Sequence, residues 1–207
     1  MLKYDAREAG VMMRRHLAVA ALAALMWLGS APRAAADSSR VVATVHAAAT
    51  DTTIAPEERR GRLVATVQRS FDLPALAQAV LRARWQAAPE PDRAAFVGAL
   101  GDLVTDRLLQ RLAPRSGAPF RIVKEDSLPG GDTLITSTLT LGPDRLVVID
   151  WRMRHTPEPR IVDIVVEGRS MVVSTREELA RELAGDATSL QAITAALTAR
   201  ARRTGSR

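Results

Sequence analysis

The feature that most constrains this chain is a change of hydrophobic period between Ala113 and Pro119. Before it, Phe96, Leu100, Leu103, Val104, Leu108 and Leu112 recur three or four residues apart. That spacing predicts a long helix from about Asp92 to Leu112 with one apolar stripe. After it, apolar residues alternate. The segments FRIVKEDS, DTLITSTLTLG, DRLVVIDWRMR and PRIVDIVVEG are separated by Pro129-Gly130-Gly131, by Gly142-Pro143 and by Thr156 to Pro159. Turns that short join antiparallel neighbours, whereas parallel neighbours need a long crossover. A helical block followed by a four-stranded antiparallel meander is the prediction.

More helices precede the long one. Val41, Val42, Val45 and Ala48 have helical spacing. Pro56 with Glu57 and Glu58 suits a first helical turn, where negative charge meets the positive end of the helix dipole. Leu63, Val67 and Phe71 follow on that helix. Asp72 is placed to cap another, carrying Leu73, Leu76, Val80 and Leu81, with Pro74 in its first turn. At the other end, Ser174 with Glu177 reads as a capping box opening STREELAREL, and a last helix covers Leu190 to Leu197.

In the third strand Val147, Ile149, Trp151 and Met153 share one face, and Asp150, Arg152 and Arg154 the other. In the fourth, Val162, Ile164 and Val166 oppose Asp163 and Glu167. One apolar and one charged face describe a sheet covered on a single side. The expected fold class is therefore α+β, with helices packed on one face of a curved four-stranded antiparallel sheet.

The N-terminus reads as an export signal. Arg14, Arg15 and His16 precede an apolar run from Leu17 to Leu28, and Ala34-Ala35-Ala36 forms a small-residue exit. The run is shorter than the roughly 20 residues that span a bilayer. The expected organisation is a signal peptide over 1–36, a domain over 37–199 and a basic disordered tail over 200–207. The charge follows that division. The whole chain carries +6, from 29 basic and 23 acidic residues. Without residues 1–36 the counts are 24 and 21, and without the tail's Arg200, Arg202, Arg203 and Arg207 the body stands at −1. Such a body is not the electrostatic footprint of a nucleic-acid binder.

No catalytic constellation is visible. His16, His46 and His155 lie far apart, and none has a second ligand at metal-binding spacing. Ser170 follows Gly168, but no nucleophile elbow surrounds it and no histidine comes after it. Asp150 and Asp163 resemble paired carboxylates, but Arg152 and Arg176 are nearby salt-bridge partners. Neither an enzyme activity nor a cofactor is expected. What remains is Leu-, Val- and Ile-rich surface, with aromatics at only 3% of the chain. Such residues fill a core or line a cavity for an aliphatic ligand, and periodicity does not distinguish the two.

Three motifs carry a resemblance. FDLPALAQAVLRARWQAAPEPDRAAF resembles the helical signature of the MlaC, or toluene-tolerance, family, with Phe71, Asp72, Leu81, Trp85 and Phe96 in matching places. VVIDWRMR resembles that family's Val-Asp-Tyr-Arg strand, with Trp151 in place of Tyr. IVDIVVEGRSMVVSTREEL resembles its closing signature through Asp163, Glu167, Gly168, Ser170 and Arg176. The likeness covers roughly residues 40–197. Arg82 stands where the pattern has Gly, Pro159-Arg160 where it has Trp-Lys, Ser174-Thr175 where an aromatic is common, and Leu179 where Phe is common. These departures resemble a divergent branch, such as the hopanoid-associated HpnM-like members.

The resemblance implies a monomeric periplasmic carrier that ferries phospholipid between two membrane partners. One would be an inner-membrane ABC transporter complex with an MCE-type subunit, the other an outer-membrane lipoprotein. It implies no nucleic-acid partner, and a lipid cavity between sheet and helices. The wall would be Leu76, Val80, Trp85, Phe96, Leu100, Leu103 and Val104 from the helices, and Ile135, Leu139, Val147, Ile149, Trp151, Val162, Ile164 and Val166 from the strands. Met171 and Val172 would close one side. Asp163, Gly168, Ser170 and Arg176 would form the junction, with Gly168 letting the strand bend or approach a helix and with Asp163 and Arg176 as a charge pair. The alternatives are a hopanoid carrier of the same superfamily and a ligand-free periplasmic adaptor.

Overall fold

A computed structural model of the chain describes residues 31–155, 157–182 and 189–205. The expected signal segment up to residue 30 lies outside them. The chain divides into two compact units, 1–37 and 38–207. Of the first, only residues 31–37 are described, and they have helical backbone. The second unit contains the sheet and the helices that cover it.

The helical block comprises α1 (Ala31–Thr50), α2 (Pro56–Ser70), α3 (Leu73–Leu81), the short α4 (Ala83–Ala87) and α5 (Glu90–Leu112). A 3₁₀ turn at Ala113–Arg115 closes it, where the period breaks. The local signals act as their chemistry dictates. Pro56 starts α2, with Glu57 and Glu58 in its first turn. The Asp72 carboxylate accepts from the Ala75 N–H at 3.0 Å and caps α3. Phe71 beside it is buried and forms an isolated parallel bridge with Ile161, and the Asp72 N–H donates to the Ile161 carbonyl at 3.0 Å. The Phe-Asp pair thus ties the helical block to the sheet.

The sheet comprises β1 (Phe120–Ser127), β2 (Thr133–Thr140), β3 (Leu146–His155), β4 (Pro159–Val166) and β5 (Arg169–Ser170), paired antiparallel in chain order. The expected count of four is corrected to five. The additional strand is only two residues long, too short for any alternation to mark it. Ile135 stands opposite Trp151, Leu139 opposite Val147, and Trp151 opposite Ile164, so these side chains form one inward face. On it Trp151 is fully buried, its indole N–H donating to Ser137 Oγ at 2.8 Å.

Two bulges bend the sheet. Val123 has no opposite partner in β2, and Val162 has none in β3. The second corrects the expected face assignment. Val162 is buried but outside the main apolar cluster, and Ile161 takes its inward place beside Met153. Strict alternation cannot anticipate an inserted residue.

The chain closes with α6 (Met171–Glu182) and α7 (Leu190–Gly205). Ile193 and Leu197 of α7 are buried in the core, as is Leu179 of α6. Helical backbone continues six residues past position 199, where a disordered tail was expected to begin. Ala and Arg are strong helix formers, so ALTARARR carries no stop signal.

Candidate functional site

The helices bury most of the apolar face of the sheet but leave a groove along it. Between the second half of α5, the inward face of β2–β4 and helix α6 lies a groove of about 520 Å³. That volume falls within the roughly 300–1,000 Å³ typical of small-molecule sites. Its floor is Leu139, Val147, Ile149, Trp151, Ile164 and Val166, with Leu103, Leu108 and Leu112 on one wall and Met171 on the other.

Eight of the residues expected at a cavity therefore converge: Leu103, Leu139, Val147, Ile149, Trp151, Ile164, Val166 and Met171. The others do not line it. Leu76, Val80, Phe96, Leu100, Val104, Ile135 and Val172 are buried in the core on which the groove is built. Trp85 is only partly buried and lies 5.5 Å beneath the Arg93 guanidinium. Val162 occupies the bulge.

The strand-to-helix junction that flanks the groove is a hairpin. Val166 pairs with Arg169, which leaves Glu167 and Gly168 as a two-residue loop. Both have positive φ, 49° and 79°, the signature of a type I′ turn. A side chain at Gly168 would meet nothing within 4 Å. Its role is turn geometry and not the expected close approach to a helix.

The capping expected of Ser174 belongs to Ser170. Helix α6 begins at Met171, and Ser170 Oγ accepts from the Val173 N–H at 3.1 Å. The Asp163 carboxylate accepts from Ser170 Oγ at 2.5 Å, from the Val172 N–H at 3.1 Å and from the Ile164 N–H at 2.8 Å. One carboxylate thus joins strand, hairpin and helix N-terminus. The expected Asp163–Arg176 pair is not formed, because Arg176 donates to the Ala79 carbonyl at 2.6 Å and so ties α6 to α3. Asp150 likewise accepts from Thr136 at 2.6 Å, and Arg152 and Arg154 both reach Asp132.

The mouth of the groove carries charge that periodicity gave no reason to expect. Arg107 of α5 bridges to Glu178 Oε2 at 2.5 Å and to Thr175 Oγ1 at 2.7 Å on α6, spanning the two walls. Asp106 is buried beneath, paired with Arg60, and its Oδ2 has no partner. Arg111, Arg115, Arg145, Arg169 and Arg181 also line the site. These residues come from separate elements, so no local motif links them. Among the described residues, no three His, Cys, Asp or Glu side chains converge as metal ligands, and no helix is long and apolar enough to cross a membrane.

Comparison with known proteins agrees with this architecture. No curated protein sequence matches the chain. A phospholipid-binding protein from Ralstonia solanacearum, solved in complex with a phospholipid, superposes with a TM-score of 0.66 at 15% identity. The match covers 83% of this chain and 98% of that one. The sequence profile of the MlaC protein family matches residues 36–199, and the chain belongs to the MlaC family.

Proposed function

We infer that this protein is a periplasmic lipid carrier whose apolar groove holds phospholipid acyl chains. The single observation that carries the reading is the groove beneath α5 and α6, whose floor is made of apolar side chains. Family membership and the phospholipid-bound Ralstonia fold support it. The energetics favour a sheltering protein: each methylene taken out of water is worth about 0.8 kcal/mol. An acyl chain therefore leaves a bilayer for the periplasm only when a dry surface receives it.

On this reading, residues 1–36 direct export, 37–199 form the carrier domain and 200–207 extend from it. The eight groove residues contact the chains, and the core residues beneath hold the floor rigid. The carrier shuttles lipid between an inner-membrane ABC transporter complex with an MCE-type subunit and an outer-membrane lipoprotein. It acts as a monomer, without catalysis.

The test is extraction of lipid from the purified mature protein, followed by uptake from phospholipid vesicles. Ile149→Trp and Leu139→Trp enlarge two nearly buried side chains at the groove floor so that an indole fills the groove. Both variants should remain folded and lose uptake. A wild-type protein that neither copurifies with lipid nor takes it up, or variants that still do, would overturn the reading.

A further inference from the structure

Five arginines stand around the groove mouth with no ion pair among the described residues. Arg111 comes from α5, Arg115 from the 3₁₀ turn, Arg145 from the β2–β3 turn, Arg169 from β5 and Arg181 from α6. Arg107 is different, being held by Glu178. The other carboxylates at the mouth are Asp106, already paired with Arg60, and the exposed Glu167 and Glu177. Once paired groups are set aside, five positive charges face two negative ones, an excess of three. Residues 37–199 as a whole sum to −1. The positive charge is therefore concentrated at the groove that holds the apolar floor.

A cationic rim above an aliphatic floor matches one ligand chemistry. We propose that this mouth selects lipids whose headgroup carries net negative charge, binding the phosphodiester through Arg145, Arg169 and Arg181. Guanidinium groups suit this task because their donors match phosphate oxygens in pairs. A zwitterionic headgroup offers the same phosphate but adds a cation that the rim repels. The inference rests on the carrier reading, since the rim matters only if acyl chains occupy the floor. A headgroup is favoured over a flat membrane surface because the five cations line the same groove as the apolar floor and come from five separate segments of the chain.

The test uses the full mature protein, residues 37–207. It is mixed with vesicles holding equal amounts of phosphatidylglycerol and phosphatidylcholine with identical acyl chains. The vesicles are then removed, and the lipid carried in solution is quantified by mass spectrometry. The expected result is about an eightfold enrichment of phosphatidylglycerol: both lipids offer the same phosphodiester, and each of the three excess rim charges disfavours the choline cation by roughly a factor of two. Replacing Arg145, Arg169 and Arg181 together with Gln should bring the ratio close to one and lower the total lipid carried, because both headgroups lose their phosphate partners. These three side chains are exposed, so the fold is retained.

Equal loading of the two lipids by the wild type overturns the inference and leaves the carrier reading standing. No loading of either lipid overturns the carrier reading itself. If the triple variant loads more slowly but keeps the enrichment, the arginines serve vesicle docking and the headgroup assignment falls. If glycerol 3-phosphate displaces no lipid yet binds the wild type and not the variant, the site takes free phosphate and the assignment also falls.

Discussion

Replacing Arg82 with glycine should stabilise this protein. Arg82 links α3 to α4 with φ 54° and ψ −122°, a region that residues bearing a Cβ atom rarely occupy. Its backbone is held there from both sides. The Arg82 N–H donates to the Gln78 carbonyl at 2.8 Å, and its own carbonyl accepts from the Trp85 N–H at 3.0 Å. The side chain is exposed and makes no ion pair or hydrogen bond with the described residues. Removing it therefore costs no contact of that kind. Strain of this type amounts to about 1–3 kcal/mol. Glycine's extra freedom in the unfolded chain offsets about 0.5–1 kcal/mol. The net expectation is about 1 kcal/mol of added stability, or about 2–4 °C in Tm for a chain of this size. Arg82→Ala is the control, because it removes the same side chain but keeps the Cβ. Urea titration of the mature wild type and both variants would measure the difference. If Arg82→Gly is no more stable than Arg82→Ala, the strain argument is refuted. The MlaC-like pattern carries glycine at this position, which is what the backbone geometry asks for.

Gly168→Ala should destabilise by about 1 kcal/mol in the same titration, although the added methyl meets open space, because φ is +79°. An unchanged midpoint would exclude the type I′ assignment. Asp163→Ala removes a carboxylate accepting three hydrogen bonds and should cost about 2–3 kcal/mol. Arg176→Ala, by contrast, should not couple to it in a double-mutant cycle. His46 stacks on Phe120 at 4.0 Å, its Nε2 has no partner, and burial lowers its pKa below the usual 6.5. The unfolded chain thus binds a proton more readily than the folded one. Stability from this site is present above about pH 6.5 and is lost as pH falls below it. His46→Phe should flatten the fall in urea midpoint between pH 7.5 and pH 5.5, and a fall as steep as that of the wild type would contradict the assignment.

Much of the fold is legible in the sequence because its determinants act within a few residues. The period change after Leu112, the Asp72 cap, the Pro56 start and the turns after Ser127 and Leu141 depend on neighbours along the chain. Where a local rule has two outcomes, the reading slips. Ser174 and Ser170 are both plausible caps, and Asp163 decides for Ser170 by reaching the start of α6 from another strand. Strand alternation places Val162 inward until the bulge puts Ile161 there.

The groove belongs to a different level. Leu100 and Leu103 lie on the same stripe of α5 and both are buried, yet only Leu103 lines the groove, and Ile135 and Leu139 alternate alike on β2 with the same contrast. A stripe states which side of an element avoids water, but not whether another side chain arrives to cover it. Nor does any sequence spacing relate Arg111 to Arg145, Arg169 and Arg181. The sequence by itself determined the order of elements and the apolar faces, because hydrogen-bonding and solvent preferences act residue by residue. Only the tertiary structure decided where a groove remains between those faces and which charges gather at it, because both depend on the separation of elements distant in the chain.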